Sequence, residues 1–239
     1  MKTIGLLGGM SWESTAVYYR LLNEAVRDRL GGLHSAKVLM HSVDFAEVVA
    51  LQTAGDWDGA GRMLGDAAAG LGKAGADCVL ICTNTMHLVA DAVAERAGVP
   101  LLNIIDATAA ALAAKGCRRP LLLATRYTAE HGFYAERMAA VSGIVPVTPD
   151  EVDRQVVHRI IFEELCRGIV TDSSRKRMRD VIARGIAAGA DSVILGCTEI
   201  CLIVDPAQVP VPVVDSTRIH VETALDFALN ATVSERKAA

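Results

Sequence analysis

Two short stretches carry residues whose types and spacing could do chemistry. Ala74–His87 reads AGADCVLICTNTMH, and Ala188–Ile200 reads AGADSVILGCTEI. In each, Ala-Gly-Ala-Asp leads into a run of Val, Ile and Leu that ends on a Cys-Thr pair, Cys82-Thr83 and Cys197-Thr198. A thiol ahead of a helix N-terminus has its pKa of about 8.5 lowered by the partial positive charge there. Two such thiols across a small-molecule cleft suit proton transfer at a stereocentre. One thiolate removes the α-proton from one face, and the opposite thiol returns a proton to the other. The enolate-like charge that develops needs donors, and the Gly8–Ser11 loop, Thr83–Thr85, Thr125 and Thr198 are placed to supply them.

Other chemistries fit less well. Cys78/Cys82 and Cys197/Cys201 each read C-x-x-x-C. Four residues of extended strand span roughly 13 Å, far too long for two ligands at ~2.3 Å from one zinc. No metal is therefore expected, and Cys78, Cys117, Cys166 and Cys201 read as core fillers. A Cys82–His87 hydrolase has its imidazole five residues along and nothing to aim it back at the thiol. His34, His41, His131, His158 and His220 form no recognisable constellation. Gly8-Gly9-Met10-Ser11 lacks both the G-x-G-x-x-G and the P-loop spacing, so a carboxylate or other small anion is a better guest for it than a nucleotide.

The elements that must position these residues follow from the apolar runs. Thr3–Leu7, Val38–Val43, Cys78–Ile81 and Leu101–Ile105 read as strands of a first half, with a helix to about Leu30 capped by Ser11 or Ser14 and another over Asp56–Lys73. The second half begins at Pro120. Its strands are Leu121–Ala124, a short one near Val145–Val147, Asp191–Gly196 and Val211–Val214. Its helices are His131–Ala140, Val152–Leu165 and Ser173–Ala188. A last helix, Arg218–Asn230, returns to the first half, and the polar end Ser234–Ala239 is expected to fray.

Cysteines at the C-terminal tips of such strands sit where open α/β sheets bind ligands. Three landmarks recur in order: the Gly8-Gly9 loop and Thr125-Arg126-Tyr127-Thr128, the two Cys-Thr pairs, and Asp106-Ala107-Thr108 against Asp215-Ser216-Thr217. The expected fold is α/β: two similar doubly wound parallel-sheet domains related by a pseudo-two-fold, with the active site in the cleft between them. The first comprises residues 1–105 and 215–239, the second 106–214.

The 239 residues have a net charge of −4 and 22% charged side chains, an ordinary globular composition without a basic face for nucleic acid or a membrane surface. Arg175–Arg179 (RKRMR) reads as a solvated helix face. No apolar run reaches the ~18 residues of a membrane span, and MKTIGLLGG has no signal-peptide pattern. A cytoplasmic enzyme with reduced thiols is expected.

Taken together, GLLGGMSWEST, HSVDF, CTNTMH, TRYT, FEELCRG and GCTEI resemble the aspartate/glutamate racemase family over nearly the whole chain, and most closely its broad bacterial branch. The resemblance implies a cofactor-independent amino-acid racemase, a homodimer, and Cys82 and Cys197 as the two acid/base groups. It implies no pyridoxal phosphate. Met10, Thr83, Asn84, Thr85, Thr125 and Thr198 would bind the α-carboxylate and amino group. Glu199 stands where glutamate racemases carry His; it reads as a partner for the ammonium, an orienter of Cys197, or a helix-start cap. Relatives that prefer aspartate hold the distal carboxylate with a basic pair. Arg167 matches its second member, but Phe45–Val49 contains no Arg for the first, which leaves a broad or non-acidic substrate range open. Ala124 replaces a common Gly. Related activities are hydantoin racemase, maleate isomerase and decarboxylase, and a reading from another class is a non-catalytic binder of small amino acids.

Overall fold

The computed structural model describes residues 1–236, with side chains to residue 230. The chain divides into two compact units, Met1–Ile104 with the segment from His220, and Ile105–Ile219.

The first unit contains β1 (Ile4–Gly8), α1 (Trp12–Leu30), β2 (Val38–Ser42), α2 (Phe45–Ala54), α3 (Trp57–Lys73), β3 (Cys78–Ile81) and α4 (Ala90–Ala97). Its sheet is parallel throughout, in the order β2-β1-β3, with Ile4 opposite both Val38 and Cys78. Side chains alternate between the two faces of a strand, and here that alternation divides the core. Ile4, Leu6, Cys78, Leu80 and Cys82 pack with Tyr18 and Leu22 of α1 and with Val221 and Ala224 of the C-terminal helix. Leu7, Val79 and Ile81 pack on the other face with Leu64 and Ala68 of α3 and Val93 of α4.

Next come α5 (Ile104–Ala114), β4 (Pro120–Leu123), α6 (Arg126–Glu130), α7 (Phe133–Ser142), α8 (Glu151–Arg159), α9 (Asp172–Ala187), β5 (Ser192–Leu195), β6 (Val213–Asp215) and α10 (Ser216–Arg236). The second sheet is also parallel, in the order β4-β5-β6. Leu121, Leu123, Val193 and Leu195 pack on Val157 of α8 and on Met178, Val181 and Ile182 of α9.

The repeated Ala-Gly-Ala-Asp has a structural cause. Ala74 and Ala188 end α3 and α9, and Gly75 (φ 100°) and Gly189 (φ 94°) take the left-handed conformation that reverses the chain. The carboxylate of Asp77 then accepts from the Thr3 N–H at 2.6 Å, and that of Asp191 from the Arg118 and Arg119 N–H groups at 2.6 and 2.9 Å. Each aspartate thus pins the strand that enters beside its own.

Four sequence expectations need correction. Leu101–Ile105 and Val145–Val147 are not ladder strands. Each contributes a single parallel bridge, Val79 to Leu101 and Leu121 to Val147. Pro100 and Pro146 precede these residues and bring no N–H to a ladder, and the first segment turns into α5 at Ile104. Helix α2, not foreseen, is capped by the Asp44 carboxylate on the Ala46 N–H and buries only Val48 and Gln52. The helix expected over Val152–Leu165 leaves α-geometry after Arg159, passing through a π turn (Ile160–Glu164) and a 3₁₀ turn (Leu165–Arg167) to Gly168. The polar end expected to fray lies beyond the described side chains.

Candidate active site

In the first unit the candidate residues gather at the C-terminal ends of β1 and β3. Gly9 (φ 93°) lies against the Val43 backbone, where an added Cβ would be 2.1 Å from the carbonyl oxygen, so only glycine fits. Its N–H donates to Thr15 Oγ1 at 2.8 Å, and the Thr15 hydroxyl donates to the Ser11 carbonyl at 2.9 Å. Ser11 caps α1 through its side chain. Met10, between them, is buried in the core of the α3 side.

Cys82 follows β3 directly, its N–H bonded to the Leu7 carbonyl at 2.9 Å. Its side chain is fully buried, and its nearest polar contact is a long one, Sγ to the Leu80 carbonyl at 3.8 Å. Thr83 is half-buried, Asn84 and Thr85 are buried, and a 3₁₀ turn spans Thr85–Val89. His87 closes this loop. Its Nε2 accepts from the Ile104 N–H at 3.2 Å, so Nδ1 carries the proton and donates to the Thr83 carbonyl at 2.8 Å. Both ring nitrogens are engaged with backbone, which is a structural role and not that of a base for Cys82. Gln52 reaches the same turn from α2, with Nε2 at 3.0 Å from Met86 Sδ. Sequence reasoning passed over it, although its spacing from Val48 places both on the one buried stripe of α2.

In the second unit the candidates lie at the C-terminal ends of β4 and β5. Thr125 caps α6, with its Oγ1 at 3.2 Å from the Thr128 hydroxyl. Cys197 is in extended conformation and precedes a 3₁₀ turn, Thr198–Leu202. Its thiol donates to Glu199 Oε2 at 2.9 Å, and the Thr198 hydroxyl donates to the same oxygen at 2.7 Å. Glu199 is buried. Arg167 is exposed on the 3₁₀ turn that packs against Thr198–Leu202. Glu164 holds that turn to the start of α9, where Oε2 accepts from the Ser174 hydroxyl at 2.5 Å and from Thr171 at 3.5 Å. Cys201, read as a core filler, packs against the core of the second unit and also donates its thiol proton to Asp215 at 3.3 Å.

The electrostatics reverse one expectation. Burial pushes the Cys82 thiol well above its ordinary range, with no charged group contributing. Burial also raises Cys197 well above it, and the Glu199 carboxylate and Cys166 add to the shift. Short 3₁₀ turns follow both cysteines, and whatever dipole they bring is outweighed by desolvation of the charged form. Both side chains rest as thiols.

The family model for Asp/Glu/hydantoin racemases matches residues 7–224. A crystal structure from Yersinia pestis assigned to the Asp/Glu racemases is 51% identical, covering 96% of this chain and 100% of its own, with a TM-score of 0.90. An aspartate racemase homologue from Pyrococcus horikoshii OT3 is 34% identical, covering 95% and 99%, with a TM-score of 0.84. The broad-specificity amino-acid racemase RacX of Bacillus subtilis is 20% identical over 90% of this chain and 92% of its own.

Proposed function

The chain belongs to the Asp/Glu/hydantoin racemase family, and from that premise we propose that it racemises free amino acids through Cys82 and Cys197, without a cofactor. The observation that carries this reading is the matched placement of two thiols. Each lies just past a fully buried strand of its own parallel sheet, Cys82 after β3 at one end of the order β2-β1-β3 and Cys197 after β5 at the centre of β4-β5-β6, at the strand ends where such sheets hold ligands.

In the forward direction one thiolate takes the α-proton, breaking Cα–H and forming S–H. The electron pair is held as an enolate-like carboxylate while the other thiol gives its proton to the opposite face. The exchange leaves the pair with its charges swapped, ready for the enantiomer. Thr83, Asn84, Thr85, Thr125 and Thr198 supply hydroxyl, amide and backbone donors for the α-carboxylate and its developing charge, and Met10, whose side chain is buried in the core, joins them through its backbone. Arg167 offers an exposed fork for a distal carboxylate. With no second cation assigned to that task, the reading extends to broad specificity. By the family resemblance we also read the protein as a homodimer.

Chiral chromatography on L-aspartate, L-glutamate and a panel of neutral amino acids tests the proposal. At least one enantiomer pair should equilibrate, and Cys82→Ser or Cys197→Ser should each reduce the rate by about a thousandfold or more. Sustained racemisation by either variant would refute the two-thiol reading.

A further inference from the structure

Resting on this reading, we propose that Glu199 is the internal proton acceptor for Cys197, so that the two halves of the site are chemically unequal: Cys197 reaches its thiolate form by handing its proton to a neighbouring carboxylate, and Cys82 has no such partner. The geometry is a direct one. Cys197 donates its S–H to Glu199 Oε2 at 2.9 Å, and the Thr198 hydroxyl fixes that oxygen from a second direction at 2.7 Å. At the equivalent place two residues after Cys82 stands Asn84, an amide that cannot take up a proton.

The assignment answers a difficulty that the buried thiols raise. A thiol held far above its ordinary range yields almost no thiolate to solvent at neutral pH, yet the chemistry needs one. Transfer from Sγ to Oε2 breaks S–H and forms O–H, leaving a thiolate beside a neutral carboxylic acid. The net charge of −1 on the pair is unchanged, so no hydroxide is consumed. The thiolate then accepts the α-proton, Cys82 gives up its own, and the Glu199 proton returns to the Cys82 thiolate through solvent to reset the site. Glu199 thus acts through Cys197 as a positioning and proton-holding residue. Among the described residues, Cys166, on the turn packed against Thr198–Leu202, also acts on Cys197, and Cys201 with its partner Asp215 feels the Glu199 charge.

Single-cysteine proteins separate the halves. In Cys82→Ser, Cys197 alone exchanges the α-hydrogen of one enantiomer with deuterated water; in Cys197→Ser, Cys82 exchanges that of the other. Adding Glu199→Gln, which preserves shape, should lower the Cys197 exchange at pH 7 by about a hundredfold and change the Cys82 exchange less than about threefold, the second arm reporting also that the protein is folded. Equal loss in both arms would make Glu199 a substrate or scaffold residue, and loss in neither would remove its role; both results overturn the assignment. A parallel measurement needs no single-cysteine activity. In the otherwise unaltered protein kcat/KM should be level from about pH 6.5 to 8.5, because the reactive form is a tautomer of the resting one. With Glu199→Gln it should climb tenfold per pH unit. A level profile in that variant overturns the assignment. Racemisation surviving in a single-cysteine protein would instead overturn the two-thiol function itself.

Discussion

At the scale of single residues, the proposed site rests on two thiols kept from water. Cys82 is fully buried in an apolar cluster, and Cys197 is half-buried beside a carboxylate. Iodoacetamide at pH 7 should accordingly label both slowly in the folded protein and rapidly after guanidinium unfolding, as peptide mass spectrometry would read. Fast folded-state labelling of either would mean that its environment favours the thiolate. The placement of both cysteines just past a buried strand was legible in the sequence from the repeated strand ending, but the sign of their pKa shift was not. A helix start in sequence predicts a lowered value, whereas the outcome depends on how many apolar atoms the tertiary fold packs around sulfur. The contact between Cys197 and Glu199 was likewise hidden, because an acidic residue there reads equally as a cap, an ammonium partner or an orienter of the thiol.

At the scale of elements, α10 fastens the first unit through one buried imidazole. His220 Nε2 donates to the Leu102 carbonyl at 2.7 Å, and its Nδ1 accepts from the Tyr18 hydroxyl at 2.9 Å. Desolvation lowers its pKa from 6.5 to about 4. The unfolded chain therefore binds the proton more readily than the folded one between those values, so stability from this group is complete above pH 6.5 and is lost as pH falls to 4. The total is about 3 kcal/mol. Thermal unfolding should show Tm dropping over this window, and His220→Gln should flatten that drop while lowering Tm at pH 7. An unchanged slope in the variant would assign the acid sensitivity elsewhere. The sequence marked α10 as the returning helix and left His220 without a role, since its partners lie 118 and 202 residues away. Strand β3 was legible to the residue because its four positions are all buried and flanked by clear punctuation. The bridges at Leu101 and Val147 were overread as strands because apolar composition does not reveal how far hydrogen bonding extends. Helix α2 was missed because two buried positions make too faint a stripe.

At the scale of the whole molecule, two units each build a three-stranded parallel sheet and follow a buried strand with Cys-Thr, with sulfurs 115 residues apart in sequence. That architecture was legible because the same strand-pinning aspartate and chain-reversing glycine precede both cysteines, and local physics recurs wherever those residues do. The repeat does not extend two residues past the cysteines, where Asn84 and Glu199 differ. If racemisation uses two separate thiols, the proton removed and the proton delivered belong to different groups. The most direct test is racemisation of a single enantiomer in deuterated water, stopped within the first few per cent of conversion and analysed by chiral separation with mass spectrometry. The account predicts product fully deuterated at Cα while the unconverted enantiomer still carries hydrogen; equal deuterium in both from the outset, or product that keeps its original hydrogen, would contradict it.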